Sequence, residues 1–217
     1  GHCYCRTNMC EELLTTYVAT CDSEIYDYIK SINGNVVMTS ASHERACDRA
    51  AEAMTKIEQE IKTKIDVVVM VQGDEPLIST EAIAETLDHF NDPAIEIVNI
   101  MSRLSTYEQF IDKNNVKVVV NRHNDALYFS REPIPSPWRG FENIPMYMQT
   151  GIIAFRHDAL LRFNQMDETQ LEQIESVDMN RVLETGGRIR MVLTQATTIG
   201  VDTPQELKDA EKLMNND

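Results

Sequence analysis

Short apolar runs alternate along the chain with longer stretches whose apolar positions recur every three or four residues. Thr16-Tyr17-Val18-Ala19-Thr20 reads as a strand. Asp22 or Ser23 can then cap a helix that carries Ile25, Tyr28, Ile29 and Ile32 on one stripe, and Asn33-Gly34 ends it. Val36-Val37-Met38 is the next strand, followed by a polar loop, Thr39 to His43, and a long Ala/Glu/Lys-rich helix from about Glu44 to Lys62. The continuous run Val67-Val68-Val69-Met70-Val71 has the character of a parallel strand buried on both faces, and it breaks at Gln72-Gly73-Asp74-Glu75-Pro76.

Ser79 and Thr80 are good caps for a helix over Glu81 to Phe90. Strands are expected at Ile95 to Met101, Val116 to Asn121 and Ala126 to Ser130, with a short helical piece near Thr106 to Phe110. Arg131 to Pro145 holds four prolines and the single tryptophan, which marks a long irregular loop of functional or mobile character. A strand (Thr150 to Phe155), a helix from Asp158, another over Gln170 to Glu184 stopped by Gly186-Gly187, and a strand (Ile189 to Leu193) complete the pattern. Thr203-Pro204-Gln205-Glu206 then opens a last helix with a capping box. Strands alternating with helices imply an α/β fold around a mostly parallel sheet, in one domain spanning 1–217.

The 217 residues carry 20 Lys plus Arg against 35 Asp plus Glu, a net charge of −15, and a field of that sign repels nucleic acids and anionic membranes. No apolar run approaches the roughly 20 residues of a membrane-spanning helix, and the first residues lack an apolar signal segment, so a soluble cytoplasmic protein is expected. Five cysteines, odd in number and crowded toward the start, suit reduced thiols. A metal site on Cys3, Cys5 and Cys10 is disfavoured, because no Cys-x-x-Cys pair occurs. The chain begins without methionine and inside an apparent helix, Gly1 to Leu14, that has no capping residue ahead of it. That suggests a fragment.

In an open parallel sheet ligands bind outside the carboxyl ends of the strands, which singles out Gln72 to Pro76. Gly73 allows close backbone approach there, and Asp74 is a hard oxygen donor of the kind Mg²⁺ takes. The alternative is an ordinary acidic surface turn. Asp202, at another strand-to-helix junction, either joins Asp74 on one cation or simply favours its helix N-terminus. The loop Thr39 to His43, running into a helix that bears Arg45, Asp48 and Arg49, offers free amides and cationic donors for an anionic or carbonyl ligand. No dinucleotide-binding glycine pattern, P-loop or nucleophile elbow is present, and the five histidines lack metal-ligand spacing.

Five segments in order carry a resemblance over essentially the whole chain: Thr39-Ser40 to His43 with Asp48-Arg49; Val71-Gln72-Gly73-Asp74-Glu75-Pro76; Tyr128-Phe129-Ser130-Arg131 with Pro133-Ile134-Pro135; Gln170-Leu171-Glu172 to Glu175-Ser176; and Gly200-Val201-Asp202-Thr203-Pro204. Together they resemble the 3-deoxy-manno-octulosonate cytidylyltransferases, also called CMP-Kdo synthetases, within the sugar nucleotidyltransferases. The resemblance implies a three-layer α/β/α, Rossmann-like fold of the nucleotide-diphospho-sugar transferase type, with a mixed, mostly parallel sheet. It also implies a sugar-binding and dimerisation sub-region over 126–186 in a homodimer. The implied activity couples CTP to a 3-deoxy-octulosonate sugar acid, giving CMP-sugar and pyrophosphate for lipopolysaccharide assembly. By the family's pattern Asp74 and Asp202 hold Mg²⁺ and act with Gln72 at the reacting centre. Thr39, Ser40, His43, Asp48, Arg49, Gln72 and Gly73 meet the nucleotide, and Arg131, Gln149, Gln170, Glu172 and Glu175 meet the sugar acid.

The chain departs from that pattern in three places. A leading strand with a loop rich in Arg, Ser, Pro and Lys is missing, so weak CTP binding and negligible turnover are expected of the chain as given. Ala46-Cys47 replaces a Gly-Thr pair near the base. Met148-Gln149 replaces an Arg-His pair near the sugar, and a neutral site there favours an amino-bearing analogue such as 8-amino-3,8-dideoxy-octulosonate. Two other readings stay open: a non-catalytic nucleotide-binding or dimer-forming protein of the same fold, and a transferase for another sugar acid, such as a sialic-type acid.

Overall fold

The computed structural model describes residues 1–196, 200–201 and 203–214. The chain opens with α1 (His2–Thr7), β1 (Val18–Thr20), α2 (Ser23–Ser31), β2 (Val36–Met38), α3 (Ala46–Ile61) and β3 (Val67–Val71). There follow α4 (Thr80–Asp88), β4 (Ile97–Arg103), α5 (Tyr107–Ile111), β5 (Lys117–Val120), β6 (Ala126–Ser130) and β7 (Tyr147–Arg156). The remaining elements are α6 (His157–Gln165), α7 (Gln170–Glu175), α8 (Met179–Glu184), β8 (Arg190–Leu193) and α9 (Pro204–Met214).

Local chemistry explains most boundaries. The Asp22 carboxylate accepts the Glu24 and Ile25 amides and starts α2, and the Ser79 hydroxyl accepts the Ala82 amide and starts α4. Thr106 with Gln109, and Thr203 with Glu206, form the reciprocal bonds of capping boxes at α5 and α9. Two expected helices are shorter than their periodicity suggests. The opening helix ends at Thr7, and the chain then turns so that Cys10 packs on Ile78, Ala82 and Ile83 beneath α4. The helix expected over Gln170 to Glu184 is two helices, because Ser176 adopts a left-handed φ of 52° that helical geometry cannot continue through.

Six strands form one sheet in the order β6-β5-β7-β4-β8, with β3 on the far side of β7 along part of its length. Strands β3, β4 and β5 each run antiparallel to β7, and β8 runs parallel to β4, so four of the six point one way and β6 and β7 point the other. Helices cover both faces, as the α/β expectation requires. On one face Phe129, Phe155, Leu160, Phe163 and Met179 pack with Met54 of α3. On the other, Ile83 of α4 packs with Ile78, Ile100 and Ile152. Each such side chain contributes about 1.5–3 kcal/mol on burial.

Strands β1 and β2 make a separate parallel pair, in register Val18↔Val36. Helix α3 packs against β1, β2 and β3, and between the pair and β3 lies an apolar slot of about 550 Å³. Val18 lines one side of it, Val67 and Val69 the other, and Ala50, Ala53 and Met54 the floor. The slot runs to Gly73 and Asp74, at the end of β3 where the site begins.

Candidate active site

The turn after β3 is fastened from two directions. The Gln72 amide donates to the Gly151 carbonyl at 2.9 Å, extending the β3–β7 ladder by one bond beyond its last pair, Val71↔Ile152. The Gly151 amide in turn donates to Glu75 Oε1. From the other end of the chain, the Val201 amide donates to the Asp74 carbonyl at 2.9 Å. The backbone one residue before Asp202 therefore lies directly on Asp74. Asp202 itself lies outside the described residues.

These contacts open onto a cavity of about 870 Å³, outside the carboxyl end of β3. Gln72, Asp74 and Glu75 form one wall, and Met148, Gln149 and Gly151 of β7 another. Arg45, Arg131 and Asp178 lie around the rim, with Gly200 and Glu206 closing it. Carboxylates outnumber cations: Glu44, Asp74, Glu75, Asp112, Asp178 and Glu206 stand against Arg45 and Arg131. Gln149 Oε1 is buried with no hydrogen-bond partner among the described residues, an acceptor held ready in the wall. A strand-end cavity lined by hard oxygen donors suits a polyanion that arrives with a divalent cation.

The scan against family models matches residues 1–190 to a family described as cytidylyltransferase. A 3-deoxy-manno-octulosonate cytidylyltransferase of Geobacter metallireducens is 39% identical over 98% of this chain and 86% of its own length. One from Thermodesulfovibrio yellowstonii is 36% identical over 99% of this chain and 87% of its own length. The chain belongs to the 3-deoxy-manno-octulosonate cytidylyltransferase family. Among solved structures, a CMP:2-keto-3-deoxy-manno-octonic acid synthetase complexed with CTP superposes with a TM-score of 0.88 at 34% identity, over 99% of this chain and 86% of that one. A 4-diphosphocytidyl-2C-methyl-D-erythritol synthase from Anaerococcus prevotii shares the fold at a TM-score of 0.64 and 12% identity, over 99% of this chain and 84% of that one.

Within this family member four of the residues expected around the nucleotide, Thr39, Ser40, His43 and Arg49, form one clamp, while Gln72 and Gly73 stand in the turn after β3. The Arg49 guanidinium donates to Thr39 Oγ1 at 2.6 Å and reaches the carbonyls of Ser40 and His43. Glu52 accepts the Ser40 amide at 2.9 Å, pairs with Lys56 at 2.6 Å and bonds His43 Nε2. Lys56, the Ser40 amide and His43 hold the Glu52 carboxyl down at about 2. Arg49 lines the apolar slot, and Asp48 stands half-buried in the first turn of α3, lining neither cavity. At Gly73 an added Cβ would meet nothing within 4 Å, so close backbone packing is not what places glycine there.

The residues expected at the sugar divide. Gln149 and Arg131 line the large cavity, although the Arg131 guanidinium is engaged by the carbonyls of Lys113, Glu175 and Ser176. Gln170 is exposed on α7, away from the cavity. Glu172 is fully buried and faces Arg181 rather than a ligand. Glu175 accepts the Tyr128 hydroxyl, the Ser130 hydroxyl and the Arg131 amide. Burial raises the Glu175 carboxyl, but those three donors outweigh it and leave it below its ordinary value. Both acids share a helix with expected ligand positions, yet both serve the packing of α7.

Sequence reasoning gave no role to Glu75, Lys117 or Asp178. Lys117 is fully buried in β5, and its ammonium donates to the Asp112 carbonyl at 2.7 Å and to the Arg131 carbonyl. It ties together two loops that carry cavity residues. Burial pushes its pKa down. Asp178 Oδ2 accepts the Cys47 thiol at 3.2 Å, and burial raises both groups, Cys47 well above its ordinary value. Glu75 lies within the turn Gln72 to Pro76 that the sequence singles out, and the sequence signal for Lys117 and Asp178 is an ionisable residue interrupting an apolar run.

Proposed function

We propose that this chain couples CTP to a 3-deoxy-octulosonate sugar acid, giving the CMP-sugar and pyrophosphate. The observation that carries the reading is the meeting of Asp74 and Gln149 in one cavity, with the Val201 amide bonded to the Asp74 carbonyl, in a chain belonging to this family. The sugar's anomeric hydroxyl attacks the α-phosphorus of CTP, the bond to the bridging oxygen breaks, and pyrophosphate leaves with its electron pair. Catalysis then rests on in-line positioning and on neutralising charge. Asp74, an oxygen donor on the cavity wall, suits Mg²⁺, with Asp202 as its proposed second ligand. Bound there, the cation would offset charge on the phosphates. Gln72 stands beside Asp74 to orient the reactants, and the Thr39 to His43 loop with Asp48 and Arg49 borders the nucleotide.

A second reading concerns which sugar acid is used. Met148 offers the cavity no charge, and Gln149 offers a buried, unpartnered acceptor. Both favour a substrate with a donor at that end, such as 8-amino-3,8-dideoxy-octulosonate, over one selected by Arg and His. The segment 126–186 is the proposed dimerisation region of a homodimer. Trp138, Leu127 and Ile174, which are 91%, 58% and 68% exposed, support that reading. The cytoplasm and lipopolysaccharide assembly are the setting the family implies.

The test is pyrophosphate release with CTP, Mg²⁺ and each sugar, using Asp74→Ala as control and a relative's leading segment joined ahead of Gly1 as a second form. Release that needs CTP and Asp74 supports the enzyme, and the faster sugar names the substrate. No release from either form with either sugar overturns the reading.

A further inference from the structure

Glu75 is 8% exposed and meets no cation among the described residues, yet nothing in the reaction outlined above uses it. Its two oxygens have different surroundings. Oε1 accepts the Gly151 amide, while Oε2 is buried without a hydrogen-bond partner among the described residues. An orphaned buried carboxylate oxygen is destabilising, and such a cost persists where the group does something else.

The geometry around Oε1 shows what that is. Gly151 is gripped on both sides, its carbonyl by the Gln72 amide at 2.9 Å and its amide by Glu75. The fit leaves no room, since a Cβ on residue 151 would sit 2.8 Å from both Gln72 Cβ and Glu75 Oε1. Gln72 makes one grip, and Asp74 lies between it and Glu75, which makes the other. We propose that Glu75 is a positioning residue: by accepting the Gly151 amide it locks the turn after β3 onto β7 and fixes where Gln72 and Asp74 stand. The proposal rests on the reading of Asp74 as a cation ligand.

The lock needs an acceptor at the right reach, and it needs no charge. A neutral amide oxygen of the same length therefore makes the same bond, whereas a carboxylate one methylene shorter falls short of it. Glu75→Gln and Glu75→Asp separate these two properties.

Two readouts are made on the full chain and its variants: NMR hydrogen exchange of the Gly151 amide, and Mn²⁺ affinity in the presence of CTP by electron paramagnetic resonance. Glu75→Gln is expected to stay within about twofold of the parent in both. Glu75→Asp is expected to speed Gly151 exchange and to weaken Mn²⁺ binding by roughly 10–100-fold, the usual effect of removing a group that orients a metal ligand. Glu75→Asp outperforming Glu75→Gln would overturn the proposal, because the charge would then be what matters. Faster exchange in Glu75→Asp with unchanged Mn²⁺ affinity would overturn it too. If Asp74→Ala leaves Mn²⁺ affinity unchanged, the cation reading fails instead, and the exchange comparison alone decides the lock.

Discussion

Arg181 donates to both oxygens of Glu172, from Nη2 at 2.6 Å and from Nε at 2.7 Å, in a buried pair. Its remaining nitrogen, Nη1, donates to the carbonyls of Phe163 and Met166, and its guanidinium lies over the Phe163 ring, 4.6 Å from the centroid. One side chain thus joins α6, α7 and α8. Removing one partner strands the other charge in a dry interior, which costs about 3–5 kcal/mol. Arg181→Met is expected to lower the melting temperature by roughly 10 °C, and Glu172→Leu by a similar amount. The double variant should lose less than the two singles added, because it leaves no buried charge. Thermal unfolding of the three variants checks this, and additive losses would contradict the pairing.

The Glu52 cluster sets a pH window. Lys56, the Ser40 amide and His43 keep the folded carboxyl at about 2, against an ordinary value of 4.5. A carboxyl lowered on folding contributes its full stabilisation above its unfolded value, and loses it as pH falls through the folded one. The loop from Thr39 to His43 is therefore expected to stay docked above about pH 4.5 and to loosen progressively toward pH 2. Glu52→Gln should show a looser loop that changes little between those limits. Hydrogen exchange of the Ser40 amide across that range reads the effect, and a pH response retained in Glu52→Gln would refute it.

Glu175 makes a third testable joint. Its carboxylate gathers Tyr128, Ser130 and the Arg131 amide, and the Arg131 guanidinium returns to the Glu175 carbonyl at 2.9 Å. The pair welds the end of β6 to the turn after α7, at the rim of the large cavity. Glu175→Ala is expected to release Arg131 and to cost about 1–3 kcal/mol of stability, with a larger KM for the sugar acid than for CTP. A change in the CTP constant alone would show that the joint serves the other half of the cavity.

How much of this was legible in the sequence depended on where the deciding interaction lay. The limits of strands such as Val67 to Val71 and Ala126 to Ser130 were readable to the residue, because turn chemistry beside an apolar run is local, but the parallel, doubly buried character expected of the first was not found: it pairs antiparallel to β7 and is mostly half-buried. The division of α7 from α8 was not, since Ser176 carries no signal for a left-handed φ and the apolar stripe continues across it. The same holds for the site. Asp74 follows an apolar run and does line the large cavity, as that position suggests, whereas the partners that hold Glu172 and Glu175, Arg181 and the Arg131 amide, lie up to 44 residues away in the chain and leave no local trace. The role of Glu75, inside the singled-out turn, was hidden for the same reason, because its partner Gly151 is 76 residues away.

The charge of the large cavity leads to the last prediction. Six carboxylates and two guanidiniums line it, and one of those guanidiniums, on Arg131, is already engaged by three carbonyls. A triphosphate entering such a space meets net repulsion unless a cation accompanies it, and unit charges about 4 Å apart near a protein surface interact by about 4 kcal/mol. CTP is therefore expected to bind at least tenfold more weakly in EDTA than in Mg²⁺, and Asp74→Asn should abolish most of that difference. Restoring positive charge from the solvent side by raising the monovalent salt should recover only a little of the lost affinity, because screening acts weakly inside a cavity. Calorimetric titration of CTP into the chain with Mg²⁺, with EDTA and with EDTA plus added KCl measures all three. Equal affinity with and without the divalent ion would mean that the described carboxylates do not face the phosphates.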